Sequence, residues 1–217
     1  MGTQHLQGFQ RRIIQYIDNR WYLLFGKRLF DLIAAFFGLI IIAIPMGAIA
    51  LMIWVTSGRP ILFFQGRVGK DGKIFLIKKF RTMSVRPVED SSITVACDPR
   101  VTPIGRYLRR WKLDELPQLW NVLVGEMSLV GPRPDVPGYV DKLQGNERRL
   151  LLLKPGITGP ATLAYRNEEE ILAKVSDSVQ YNDKVMYPDK VRINLEYLET
   201  CSFSKDVYYI WKTIFPF

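Results

Sequence analysis

Leu32 to Val55 constrains this chain most: 24 consecutive residues carry no charge. As a straight helix the segment would measure roughly 36 Å, enough to cross a bilayer core of about 30 Å. It begins too late and runs too long for a signal peptide. A single membrane crossing is the simplest reading, but the flanks pull against it. Lys27 and Arg28 precede the run, and Arg59, Arg67, Lys70 and Lys73 follow it. Basic residues favour the cytoplasmic side, and here both ends ask for it. Pro45 lies near the middle, with Gly38 and Gly47 close by. A proline inside a helix removes a backbone hydrogen bond and costs about 3 kcal/mol, and a kink is the usual outcome. A helix bent at Pro45 would dip into one leaflet and return. The residues alone leave the crossing and the re-entrant form both open.

Charge and composition narrow the function. Residues 1–112 hold 18 Lys/Arg against 6 Asp/Glu, and the remainder holds 12 against 15. The basic excess lies on both sides of the apolar run. That position favours anionic lipid or a phosphate-rich substrate over nucleic acid, for which no motif is present. Length suits one ordinary core. Cys97 and Cys201 suggest neither a metal cluster nor a disulfide framework. The single histidine, His5, lies near the N-terminus. A Ser-His-Asp triad, a Cys-His pair or a His-rich metal site would each have to recruit it. Acid–base and nucleophilic work therefore falls to carboxylates, Lys or Tyr.

Two amphipathic segments flank this plan. Ile13, Ile14, Ile17, Trp21, Leu24 and Phe25 recur at helical spacing, with Arg11, Arg12, Gln15 and Asn19 on other faces. Such a helix suits a membrane interface, or packing on the domain or on a second copy. The tail holds Phe203, Tyr208, Tyr209, Trp211, Phe215 and Phe217 beside Lys205 and Lys212. It reads either as an interfacial helix or as a buried terminal one.

After the apolar run, Pro60 to Phe64 and Lys73 to Phe80 read as strands joined by the turn Gly69-Lys70-Asp71-Gly72. The cations of Lys78-Lys79-Phe80-Arg81 form a solvated face or line a phosphate site. Residues 86–103 read as a loop, and a helix is expected from about Ile104 to Lys112. Then comes Leu113-Asp114-Glu115-Leu116-Pro117-Gln118. Pro117 fits a first helical turn, which places a helix start near Asp114 and an end near Gly125. Two adjacent carboxylates at a helix start are often a cap. The same end also attracts anions. Gly131-Pro132-Arg133-Pro134 shifts the balance, because flanking prolines present the Arg133 guanidinium with little entropy loss. Arg is the side chain for bidentate contact with phosphate or carboxylate, so Arg133 suits either a ligand or Asp114 itself. Asn146 to Leu153 is amphipathic, Lys154 to Pro160 is a rigid turn-rich loop, Glu168-Glu169-Glu170 starts a helix, and a last helical region opens at Tyr187. There is no internal repeat, Walker A loop or Gly-x-Gly-x-x-Gly to support a kinase or a dinucleotide enzyme.

An ordered set of landmarks resembles a known family. Lys27-Arg28-Leu29-Phe30-Asp31 leads into the apolar segment, and Pro45 lies within it. Gln65-Gly66-Arg67-Val68-Gly69, Lys79-Phe80-Arg81-Thr82-Met83 and Asp98-Pro99-Arg100-Val101-Thr102 follow. The acidic pair, Gly131-Pro132-Arg133-Pro134 and Pro155-Gly156-Ile157-Thr158-Gly159 complete the order. Each is weak alone; together they are specific, over roughly residues 27–210. The chain resembles the bacterial sugar transferases that load a polyprenyl phosphate, the monotopic phosphoglycosyl transferases. The likeness is to their small form. Larger members add transmembrane helices and a domain, for which the 26 residues before Lys27 leave no room.

The resemblance implies an α+β fold, mostly helical: a small globular catalytic domain with one kinked re-entrant membrane helix and interfacial amphipathic helices. The divisions would be 1–26 as an N-terminal amphipathic segment, 27–58 as the re-entrant helix kinked near Pro45, and 59–217 as the catalytic domain. That domain would lie on the cytoplasmic face of the bacterial inner membrane. The implied reaction moves a phosphosugar from a UDP-sugar to undecaprenyl phosphate and releases UMP. By resemblance Asp114 is the nucleophile and a ligand of Mg²⁺, and Glu115 is the second carboxylate, for metal positioning or proton transfer. Arg133 and Arg109 would hold phosphate oxygens, with Lys79 and Arg81 as further phosphate contacts. Membrane lipid is an implied partner, nucleic acid is not, and a homo-oligomer remains open. The chain departs from the family at Pro160-Ala161-Thr162, where Trp-Ala-Gln is frequent. That loop is associated with sugar choice, so the sugar is left open. A non-catalytic membrane scaffold of the same fold is the competing expectation.

Overall fold

The computed structural model describes residues 21–84 and 100–215. The helical pattern at Ile13, Ile14 and Ile17, most of the loop at 86–103, and Phe217 lie outside the described residues. The apolar run forms helix α1 (Lys27–Ser57), continuous with a wider turn at Tyr22–Gly26. Together they make one helix of 36 residues, whose most apolar 18-residue window has mean hydropathy 2.6, long and apolar enough to cross a membrane. Pro45 lies inside α1. The helix presents a narrow stripe to the rest of the protein: Ala35, Ile49 and Ile53 are buried, at multiples of the helical repeat. Around them Ile33, Phe36, Phe37, Ile40, Ile41, Ile44, Leu51 and Val55 are exposed, Ile44 by 85%. A continuous apolar surface of this size marks contact with membrane or partner.

Both halves of α1 pack on one globular body. Ala35 meets Phe75, Ile77, Val122 and Met127. Ile49 and Ile53 meet Phe80 and Leu108, with Leu113 and Leu116 against the same cluster. The first turns of α1 are fastened by polar side chains. Lys27 reaches Asp206 and Tyr197. Arg28 donates to the carbonyls of Val122 (2.6 Å) and Leu123 (2.9 Å). Asp31 accepts from Ser128 Oγ (3.1 Å) and the Leu129 amide (2.9 Å). The landmark Lys27-Arg28-Leu29-Phe30-Asp31 is therefore a set of fasteners, one residue for each neighbouring element.

Strands β1 (Leu62–Val68) and β2 (Ile74–Phe80) form the expected antiparallel hairpin, with Leu62 opposite Phe80 and Val68 opposite Ile74. β1 runs past Phe64, so Gln65-Gly66-Arg67-Val68 is strand and not turn. Helix α2 (Pro103–Arg110) starts one residue before the expected Ile104, because Thr102 caps it through the Gly105 amide at 3.0 Å. Helix α3 (Gln118–Val124) ends at Gly125, whose φ of 94° suits a residue without Cβ. A second, parallel pair joins β3 (Ser128–Val130) to β4 (Gly156–Thr158). Their backbones are so close that a Cβ on Gly156 would lie 2.1 Å from the Gly131 nitrogen. The Gly156 amide also donates to the Pro132 carbonyl at 2.7 Å. This contact brings the Arg133 loop and the Pro155–Gly159 loop together, which is a physical reason for glycine in both landmarks.

The C-terminal third adds short helices α4 (Pro160–Ala164), α5 (Glu168–Ala173) and α6 (Ser178–Tyr181), then α7 (Tyr187–Thr200) and α8 (Phe203–Ile214). Asn146 to Leu153 winds mostly as a tighter 3₁₀ helix, Glu147–Leu152. The tail has one inward-facing side and one open aromatic side. Asp206 is fully buried, while Phe203, Tyr208, Trp211, Ile214 and Phe215 are exposed.

Candidate active site

The acidic pair does not start a helix. Lys112 adopts left-handed backbone (φ 55°), Leu113–Glu115 forms one 3₁₀ turn, and α3 begins only at Gln118 with Pro117 ahead of it. Neither carboxylate accepts a capping hydrogen bond at these ends. The expectation of a cap is thus corrected: Pro117 sets the start of α3 one turn later. Leu113 and Leu116 instead pin the turn onto the cluster of Ile49, Ile53, Phe80 and Leu108. Between these anchors Asp114 and Glu115 are buried, at 8% and 7% exposure.

The two carboxylates differ sharply. Glu115 Oε1 accepts from Lys79 Nζ at 2.9 Å and from Arg133 Nη2 at 2.8 Å. Burial would raise the Glu115 carboxyl, but the charges of Arg133 and Lys79 override it and hold the group well below its ordinary range. Asp114 is pushed the other way, first by burial and then by the charge of Glu115, with Lys79, Arg109 and Lys112 opposing. Asp114 Oδ1 is buried and has no hydrogen-bond partner. Leaving such a group unpaired costs about 1–3 kcal/mol and calls for an explanation. A reacting atom held ready for a ligand supplies one.

The cations around the pair come from separate elements. Lys79 extends from β2, where burial lowers its ammonium and Glu115 opposes the fall. Arg133 comes from the proline-flanked loop after β3; Glu115 raises its guanidinium, and 42% of its side chain remains exposed against 8% for Glu115. It pairs with Glu115, not with Asp114. Arg109, near the end of α2, bears electrostatically on Asp114. Arg81 is placed elsewhere. Its guanidinium donates to the carbonyls of Ser57 (2.5 Å), Gly58 (2.9 Å) and Arg59 (2.8 Å), at the end of α1. Pro45 lies in α1 and contributes no group to the pair.

Two residues without an assigned role in the sequence reading complete the setting. Arg67 on β1 donates to the Pro134 carbonyl at 3.0 Å and to Gln65 Oε1 at 2.6 Å. The Val68 amide donates to the Asp135 carbonyl at 3.0 Å. The end of β1 thus grips the two residues that follow Arg133. Asp135 is raised to about 6 by burial, against Lys190, Tyr187 and Arg67. The signals were present, since Arg67 sits in a quoted landmark and Asp135 follows the second proline directly. Spacing alone gave neither a partner.

The whole arrangement offers one unpaired carboxylate oxygen beside a row of cations, which is suited to attack on a phosphorus. Comparison with known proteins agrees. The chain matches the family described as "Bacterial sugar transferase" over residues 22–217. It is 35% identical over 209 residues to a "UDP-galactose-lipid carrier transferase" of Erwinia amylovora, covering 88% of this chain and 40% of that protein. It is 37% identical over 195 residues to a "UDP-glucose:undecaprenyl-phosphate glucose-1-phosphate transferase" of Escherichia coli (strain K12), covering 87% and 39%. It is 37% identical over 168 residues to an "Undecaprenyl-phosphate galactose phosphotransferase" of Salmonella typhimurium, covering 70% and 35%. The chain therefore spans well under half the length of these relatives. With a match that runs from the foot of the membrane helix through the acidic pair to the last residue, this chain belongs to the bacterial sugar transferase family.

Proposed function

We propose that this chain is a phosphoglycosyl transferase that moves a phosphosugar from a UDP-sugar to undecaprenyl phosphate. The unpaired, buried Asp114 Oδ1 carries the reading. It attacks the phosphorus that bears the sugar. The bond from that phosphorus to the UMP oxygen breaks, and UMP leaves. An oxygen of the polyprenyl phosphate then attacks the aspartyl-phosphosugar and Asp114 departs as a free carboxylate. One hard displacement becomes two easier ones.

The other residues follow from their contacts. Arg133 and Lys79, both held by Glu115, face phosphate oxygens and stabilise the charge that develops in each displacement. Glu115 accepts from both Lys79 and Arg133, whose charges hold its carboxyl well below the ordinary range, and this suits orienting those cations. Arg109 adds positive potential at Asp114. Mg²⁺ fits the donor set: Asp114 Oδ1 is buried with no partner, and Mg²⁺ commonly binds one or two carboxylates plus substrate phosphates. Asp114 would hold it, and the ion would neutralise the diphosphate.

The packing of α1 supports a monotopic, re-entrant arrangement bent near Pro45. Two halves of one helix that both rest on the same globular body favour a return to one side of the bilayer. The exposed apolar side of α1, with Trp21 and Phe25 beside it, is left to lipid. The basic flanks favour a catalytic domain on the cytoplasmic face of the bacterial inner membrane. A non-catalytic scaffold of this fold would have no use for an intact, costly acidic pair.

The test is a panel. Purified protein, Mg²⁺ and undecaprenyl phosphate are incubated with a set of UDP-sugars, and UMP is assayed. One or a few sugars should release UMP in step with lipid product. Release from none contradicts the reading.

A further inference from the structure

Arg81 was expected at the phosphates, yet its guanidinium is spent on the backbone of the membrane helix. It is 7% exposed. Its nitrogens reach the carbonyls of Ser57, Gly58 and Arg59 in turn, where the last carbonyls of a helix lack intrahelical partners. A cation there also opposes the helix dipole. Lys79 lies two residues before it on the same stretch, and so on the same side of the strand. Lys79 holds Glu115. One residue beyond Arg81, the Thr82 carbonyl accepts from the Thr102 amide at 2.9 Å, at the start of the helix that carries Arg109. The leucines that bracket the acidic pair pack on the cluster of Ile49, Ile53, Phe80 and Leu108, which includes the same half of α1. Lys79, the start of the Arg109 helix and the leucines beside the acidic pair thus all connect to the half of α1 whose end Arg81 clamps.

We propose that Arg81 is a positioning residue for the acceptor half of the reaction. By fixing the exit of α1 to the strand bearing Lys79, it sets the height of Asp114 relative to the bilayer. A lipid-borne phosphate then reaches the aspartyl-phosphosugar in line. Its oxygen bonds to that phosphorus, the bond from phosphorus to Asp114 breaks, and the carboxylate is freed. The water-soluble donor approaches without that constraint, so the first displacement does not depend on the clamp. The inference rests on the two-step transfer proposed above.

Arg81→Lys and Arg81→Ala are compared with wild type in lipid nanodiscs, using the UDP-sugar that the panel identifies. The burst of UMP without acceptor reads the first displacement. KM values for undecaprenyl phosphate and for a short, water-soluble polyprenyl phosphate read the second. For Arg81→Lys the burst should stay within about twofold of wild type, and KM for undecaprenyl phosphate should rise about tenfold. KM for the short acceptor should move little, because that acceptor is not tied to the bilayer. If Arg81→Ala does not fold, Arg81→Lys decides alone. Equal losses in the burst and in both acceptor reactions, or no change in any, overturn the positioning role. A wild-type protein that releases UMP from no sugar removes the transfer reading, and the positioning role with it.

Discussion

Lys27 with Asp206 and Lys79 with Glu115 are two buried ammonium–carboxylate pairs in opposite surroundings. Asp206 is completely enclosed, and each of its oxygens is engaged: Oδ2 by Lys27 and by Tyr22 (2.7 Å), Oδ1 by Tyr197. Burial and the neighbouring Asp206 push the Tyr197 phenol well up, so it stays a donor. The second pair has Arg133 as a third member, half open to solvent, and a neighbouring carboxylate oxygen with no partner. A closed network of satisfied groups rigidifies a fold. An incomplete one next to solvent is a place where a ligand supplies the missing partner. The first pair fastens α1 to α8; the second leaves a neighbouring carboxylate oxygen open.

Four outcomes would break or sharpen that contrast. The largest concerns Asp114→Asn, which removes the proposed nucleophile without changing shape. Transfer should fall by about 10³-fold or more, roughly 4 kcal/mol at 1.36 kcal/mol per decade. Thermal stability should hold or rise, since an unpaired buried charge is gone; a large drop in melting temperature would make Asp114 structural.

Asp206→Ala should do the reverse. It leaves Lys27 buried without a counter-charge, which typically costs about 3–5 kcal/mol. Thermal unfolding should show the loss, while activity per folded molecule stays near wild type. A protein as stable as wild type would mean that the closed network anchors nothing.

Arg133→Lys should lie between these. Lysine keeps the charge but loses the planar fork, so kcat/KM should drop by roughly 10- to 100-fold with little change in stability. Unaltered kinetics would take Arg133 out of the site.

The smallest effect is in pH. The Asp114 carboxyl is raised above its ordinary 3.8, and only its ionised form attacks. The UMP burst should therefore have an acid limb above 3.8, and a limb at or below that value contradicts the raised carboxyl. Stability carries the matching signs. A folded value above the unfolded one means that Asp114 adds stability as pH falls from above its folded value to below 3.8, a gain that Asp114→Asn lacks. Glu115, lowered from 4.5, adds stability above 4.5 that is lost as pH falls toward its folded value. Wild type and Asp114→Asn with identical stability profiles over this range would remove the first contribution.

Much of this was legible in the chain. The uncharged run and the hairpin turn at Gly69–Gly72 are local signals, and each produced its element; the helix expected from about Ile104 starts one residue earlier, at Pro103. The acidic pair and Arg133 were visible as unusual residues near prolines. What sequence could not show were partners far apart in the chain. Arg133 meets Glu115 and not Asp114, because the 3₁₀ turn directs the two carboxylates to different neighbours. Lys27, Arg28 and Asp31 looked like a membrane flank, but their partners lie between 94 and 179 positions away. Arg81 and Lys79 share one basic cluster in the sequence; two residues of strand carry one to the acidic pair and the other to the end of α1.

Intact-mass analysis of the protein after incubation with the identified UDP-sugar and Mg²⁺, without acceptor, tests the central claim most directly. The mass should rise by one phosphosugar, with about one UMP released per active site. The addition should map to Asp114 and vanish when undecaprenyl phosphate is supplied. Asp114→Asn should gain no mass. Transfer to lipid with no adduct on the wild-type protein, or an adduct that persists in Asp114→Asn, would contradict the assignment of Asp114 as nucleophile.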